Sequence, residues 1–149
     1  DEGLPEFADG VNKAIEEHAR KDLPDAQFQG HRDLKLEELI EIGGILGYNG
    51  EVFEINYSRP DPNNVKYSGR SITSSTGNEP IPLDSLNLAG IVIDWHSHPI
   101  STFNCVADPS KEDMDHASEM QSLIGKKQFY MVVFSPAVSK SFWYKIEPI

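Results

Sequence analysis

The sequence has a single cysteine, Cys105, so no intrachain disulfide framework can brace the fold. It has no uninterrupted run of about 18 apolar residues, so no helix of it is expected to span a membrane. Basic residues are scarce: 13 Lys and Arg against 24 Asp and Glu leave a net charge of −11. That is the reverse of the basic face that nucleic-acid phosphates require, so neither nucleic acid nor membrane is an expected partner. Internal repeats and a signal peptide are also lacking. The chain begins at Asp1 rather than Met, as an excised domain or a mature product would, and localisation stays open between a soluble protein and a secreted effector domain. Its 149 residues suit one domain, 1–149, with one sizeable core.

What the chain does have is a concentrated set of metal-ligand types. Asp94-Trp95-His96-Ser97-His98-Pro99 follows an apolar stretch, Leu88–Ile93, that reads as a buried strand. On extended backbone, positions i and i+2 share a side, so His96 and His98 can reach one ion while Ser97 points away. Pro99 removes a backbone donor and ends the ladder. After a breaker-rich loop, Ser110 and Asp113 read as the N-cap and first turn of a helix over 110–124, with Gly125 as its C′ residue. Met114, Ala117, Gln121 and Ile124 fall on one face of that helix. Two imidazoles and a carboxylate suit zinc, whose catalytic sites take three protein ligands and leave a position for water. The expected metal ligands are His96, His98 and Asp113, with Asp108 as the rival carboxylate. Cys105 reads as an incidental loop thiol. His116, one turn along the helix, reads as a partly exposed histidine, with a supporting or second-metal role as the alternative.

A zinc hydrolase also needs a carboxylate near the reacting water to carry its proton. Glu41 opens the run Ile42-Gly43-Gly44-Ile45-Leu46-Gly47, and an ionised carboxylate is rare beside apolar strand residues unless it is paired or near a metal. Its rivals are Glu37, Glu38, Glu51 and Glu54. The first two lie in a charged, solvated stretch. Alternation along Val52–Tyr57 sets Glu54 opposite Phe53 and Ile55, towards solvent.

Glu41-x-x-Gly44, His96-Ser97-His98-Pro99 and Ser110-x-x-Asp113, in that order, resemble the JAB/MPN (JAMM) zinc metalloprotease motif, over about residue 38 to the C-terminal strands. The resemblance implies a general acid/base role for Glu41, zinc ligation by His96, His98 and Asp113, and stabilisation of the tetrahedral intermediate by Ser110. It departs in one place. The eukaryotic isopeptidases of the family have a shorter stretch between the second histidine and the serine, whereas here residues 99–109 intervene. The longer loop resembles bacterial members from effector or polymorphic-toxin contexts, and a cognate inhibitor or immunity protein is the partner that context implies.

Elsewhere, residues 5–21 fit an amphipathic helix, with Phe7, Val11, Ala14, Ile15 and His18 on one face and His18 as a packed or edge histidine. Residues 22–34 read as polar linker, and His31 has no partner at useful spacing. Segments 36–47 and 51–58 form a hairpin through Asn49-Gly50. Residues 59–87 read as a long breaker-rich loop, a substrate-groove wall or a surface insertion. Segments 128–135 and 141–146 pair as a second hairpin. The expected fold is α/β (α+β): a mixed, mostly antiparallel, JAB/MPN-like sheet flanked by helices. The expected activity is zinc-dependent cleavage of an amide bond in a protein or peptide substrate. The alternatives are an inactive protein-binding scaffold of that fold and a nuclease-like metal-dependent hydrolase.

Overall fold

The computed structural model describes residues 4–30, 34–35, 38–58, 65–68, 71–74, 83–99, 111, 114–115, 118, 121–122, 125 and 128–146. Helix α1, Ala8–Asp22, forms where apolar residues recur one turn apart, and it buries Ala8, Val11, Ile15 and Ala19. It stops at Leu23, whose extended backbone (φ −94°, ψ 147°) is the conformation a residue before proline prefers.

Strands β1 (Gly43–Tyr48), β2 (Val52–Ser58), β5 (Ile91–Ser97), β6 (Gln128–Ser135) and β7 (Lys140–Ile146) form one sheet in the order β2-β1-β5-β6-β7. All neighbours run antiparallel except β5 and β6, which are parallel. The fold is therefore mixed α+β with a mostly antiparallel sheet, as expected. Both hairpin turns occur where expected, with Gly50 supplying a positive φ of 84° in the first, but the first strand begins at Gly43, and residues 38–42, Glu41 among them, lie outside it.

Alternation divides the sheet into two apolar faces. One packs under α1: Ile42, Leu46, Ile93, Trp95, Val132 and Phe134 meet Val11, Ile15 and Ala19. Phe7 caps this layer, stacked on Tyr48 with centroids 4.7 Å apart and edge-on to Tyr130 and Trp143. The other face gathers Ile45, Ile55, Val92, Phe129, Met131 and Ile146 with Leu86 and Ala89.

Three expectations need correction. Residues 59–87 are not a structureless loop: β3 (Val65–Ser68) pairs with β4 (Ser71–Ser74), and α2 (Leu83–Leu88) delivers Leu86 to the second core. The Val-Lys-Tyr-Ser and Ser-Ile-Thr-Ser runs are too short, among so many breakers, to stand out as strands in sequence. Residues 22–34 are more than polar linker. A 3-10 turn over Asp25–Phe28 buries Gln27 and packs Phe28 against the first core. In the 110–124 segment the described positions are helical, and Gly125 (φ 70°) donates its N–H to Gln121 O at 3.1 Å, the αL helix stop. Met114, however, is 41% exposed while Gln121 is buried, so the face that carries both is covered at Gln121 and open at Met114. Among the described residues no helix is long and apolar enough to cross a membrane.

Candidate functional site

The site grows from the register of β1 on β5. Gly43 lies opposite His96 and Gly44 opposite Trp95. Beyond the last ladder pair, Ser97 N–H donates to Ile42 O at 2.9 Å, which carries the register on by one residue. Glu41 is the residue before this bonded position, outside the paired strand. Ile42 and Trp95 pack on the α1 side, so alternation sets Glu41, Gly43, His96 and His98 together on the opposite side. The antiparallel pairing thus brings the chain around 41–43 to the sheet end that carries His96 and His98, more than 50 residues away in sequence.

The two histidines converge. Their Nε2 atoms lie 2.9 Å apart, with ring centroids 4.6 Å apart and planes at 58°. Without a metal, imidazoles at this distance share a proton, one Nε2–H donating to the other nitrogen. Two nitrogens at zinc-bond length on a tetrahedral ion would sit about 3.3 Å apart, so a small ring rotation would admit the ion between them. Borderline nitrogen donors aimed at one point from a rigid strand end fit such a cation. The supports are stiff: His98 N–H donates to Phe134 O at 2.9 Å, and Pro99 is buried behind it. Gly43 leaves the flank of His96 open; a Cβ there would come within 3.0 Å of Trp95 O and 3.4 Å of His96 Cβ.

The remaining residues proposed for the site, Asp113 and Ser110, lie outside the described residues, as do the rival Asp108, Cys105, His116 and Glu37. Among the described residues no three His, Cys, Asp or Glu side chains meet as a metal-holding group. Asp94 stands on the histidine face two residues before His96, 8% exposed, between Ile45 and Met131 in the ladders, and joins no such group.

The rival bases separate by geometry. Glu54 pairs with Leu46 across a bulge and turns to the α1 face, where its Oε1 accepts from His18 Nε2 at 2.7 Å. His18 in turn stacks on Tyr57, centroids 3.9 Å apart, and Tyr57 OH donates to Asp22 Oδ2. His18 is therefore the packed edge histidine expected, and Glu54 is on the wrong side of the sheet for the histidine pair. Glu38 caps its own turn by accepting from Lys35 N–H at 2.9 Å, and Glu51 is exposed in the β1–β2 turn.

Two residues near Glu41 escaped the sequence reading. Gln27 is 2% exposed and donates from Nε2 to Glu38 O at 2.6 Å and to Ile40 O at 2.9 Å. Ser97, fully buried, accepts at Oγ from Ile42 N–H at 3.0 Å. Neither carried a sequence signal beyond a glutamine in a polar stretch and a small residue between histidines.

Comparison with known proteins found no family model, no curated protein and no solved structure that matches this chain. The chemistry of the site stands on its own residues.

Proposed function

We propose that the protein is a zinc-dependent peptidase or isopeptidase acting on an amide bond in a protein or peptide substrate. The observation that carries the reading is the convergence of His96 and His98 Nε2, 2.9 Å apart, at the end of β5; the Ser97–Ile42 hydrogen bonds next to Glu41 support it. His96, His98 and Asp113 would hold the ion. Zinc in such a site acidifies a water towards a pKa of ~7 and polarises a carbonyl. Glu41 takes the proton of the attacking water and returns it to the departing amine, a transfer that one half-buried carboxylate can perform in both directions. Ser110 is assigned the oxyanion donor's part on the JAMM resemblance alone. The acidic balance of the chain, net −11, favours a polypeptide substrate over a polyphosphate one. A secreted effector role, with a cognate inhibitor as partner, belongs to the same resemblance.

Elemental analysis of purified protein tests this directly. Wild type should carry one zinc per chain, and His96→Ala or His98→Ala should lose it, because two remaining protein ligands rarely hold catalytic zinc. Glu41→Gln should keep the metal and lose about 10²–10⁴-fold in turnover on a labelled peptide library. Undiminished zinc in a His96→Ala/His98→Ala double variant would overturn the site. Zinc uptake by wild type without hydrolysis of any peptide or isopeptide would leave a metal-stabilised binding scaffold.

A further inference from the structure

Glu41 is held from both sides by buried polar side chains, and this deepens the catalytic reading above, on which it rests. Upstream, the Gln27 carboxamide donates both of its formed hydrogen bonds to the chain entering Glu41, at Glu38 O (2.6 Å) and Ile40 O (2.9 Å). Its own Oε1 finds no hydrogen-bond partner among the described residues. Gln27 therefore spends its buried polarity on this one segment and leaves an acceptor unmatched to do so. Downstream, Ser97 makes a two-bond clasp with Ile42: its N–H donates to Ile42 O at 2.9 Å and its Oγ accepts from Ile42 N–H at 3.0 Å.

The two anchors differ in origin. Gln27 comes from the 3-10 turn after α1, and Ser97 lies between the two histidines on β5. We infer that Gln27 and Ser97 are positioning residues that set the Glu41 backbone relative to the His96–His98 pair. Segment 38–42 lies outside the regular ladder of β1, which begins at Gly43, and these four hydrogen bonds tie its backbone to Gln27 and Ser97. Ser97 is the tighter link, because the same residue spaces the two imidazoles and grips the residue after the base. Any displacement of Ile42 is thereby coupled to the strand end that carries both nitrogens. A catalytic group misplaced by about 1 Å can lose ~10²-fold in rate, so holding of this kind is what a general base on irregular backbone needs.

The test uses Co²⁺ in place of zinc and needs no substrate. In Co²⁺-loaded wild type, pseudocontact shifts of the Glu41 and Ile42 amides report their position relative to the ion. Ser97→Ala and Gln27→Met should alter those shifts while Co²⁺ affinity stays within a few-fold. Ser97→Ala should also speed exchange of the Ile42 amide by about tenfold, the worth of one net hydrogen bond. Ser97→Thr, which keeps the hydroxyl, should restore both readouts. Trp143→Phe, which removes the distant bond to Asn12, controls for general destabilisation and should move neither. Unchanged Glu41 and Ile42 shifts in both Ser97→Ala and Gln27→Met would overturn the inference and leave the metal reading intact. If Gln27→Met fails to fold, Ser97→Ala and its threonine rescue decide alone. No Co²⁺-induced shifts around His96 and His98 in wild type would instead remove the metal reading, and the positioning role with it.

Discussion

Gly44→Ala asks whether the sheet end beneath Glu41 depends on close backbone approach. A Cβ built on Gly44 meets Asn56 O at 2.5 Å, Trp95 Nε1 at 3.1 Å and Tyr57 Cα at 3.3 Å. Ordinary contact begins at 3.4 Å, so the shortfall against the Asn56 carbonyl is 0.9 Å. That oxygen is main chain and cannot rotate away, so β1 and β2 must part locally. Overpacking of this kind costs about 1–3 kcal/mol. Opening the ladder by that much also loses about one backbone hydrogen bond, worth ~1 kcal/mol net. A total of ~3 kcal/mol should lower the melting temperature by roughly 6–12 °C in a chain of this size. Gly50→Ala is the comparison: nothing lies within 4 Å of its Cβ position, and only the φ of 84° opposes a side chain. It should cost about 1–2 kcal/mol, the left-handed penalty alone. Differential scanning calorimetry and urea unfolding on both variants would measure the gap. A Gly44→Ala protein melting within 2 °C of wild type, or no lower than Gly50→Ala, would refute the steric reasoning.

Glu54→Gln should weaken the exposed pair with His18 by less than about 1 kcal/mol and leave any hydrolytic activity unchanged, since Glu54 faces α1. Loss of turnover in that variant, with Glu41→Gln active, would transfer the base to Glu54. Replacing residues 68–79 with a short Gly-Ser linker should leave the fold and zinc binding in place. Strands β3 and β4 pair only with each other among the described residues, and loop-closure entropy changes slowly with length. Activity on a protein substrate should then fall more than activity on a short peptide with the same scissile bond. Equal losses, or a collapsed melting transition, would make the hairpin structural.

Much of the architecture was legible because it depends on local pattern. The i, i+4 spacing of Val11, Ile15 and Ala19 specifies α1, Pro24 its end, and Asn49-Gly50 the first hairpin. The strands within 59–87 are hidden in sequence because proline, serine and asparagine dilute the short runs of β3 and β4. Leu86 and Ala89 show their purpose only when the second face of the sheet exists to receive them.

The sequence by itself determined the candidate ligand types, and the two-residue spacing that turns His96 and His98 to one side of an extended strand. It also offered Glu41 as a candidate among five glutamates, without a means to choose by distance. The tertiary structure adds their placement: the chain before β1 brings Glu41 to the sheet end that carries His96 and His98, whereas Glu54 lies on the α1 face against His18. The roles of Gln27 and Ser97 belong wholly to that level. A side chain that satisfies backbone groups 11 or 55 residues away leaves no periodic trace in sequence, because its partners are main-chain atoms that every residue carries.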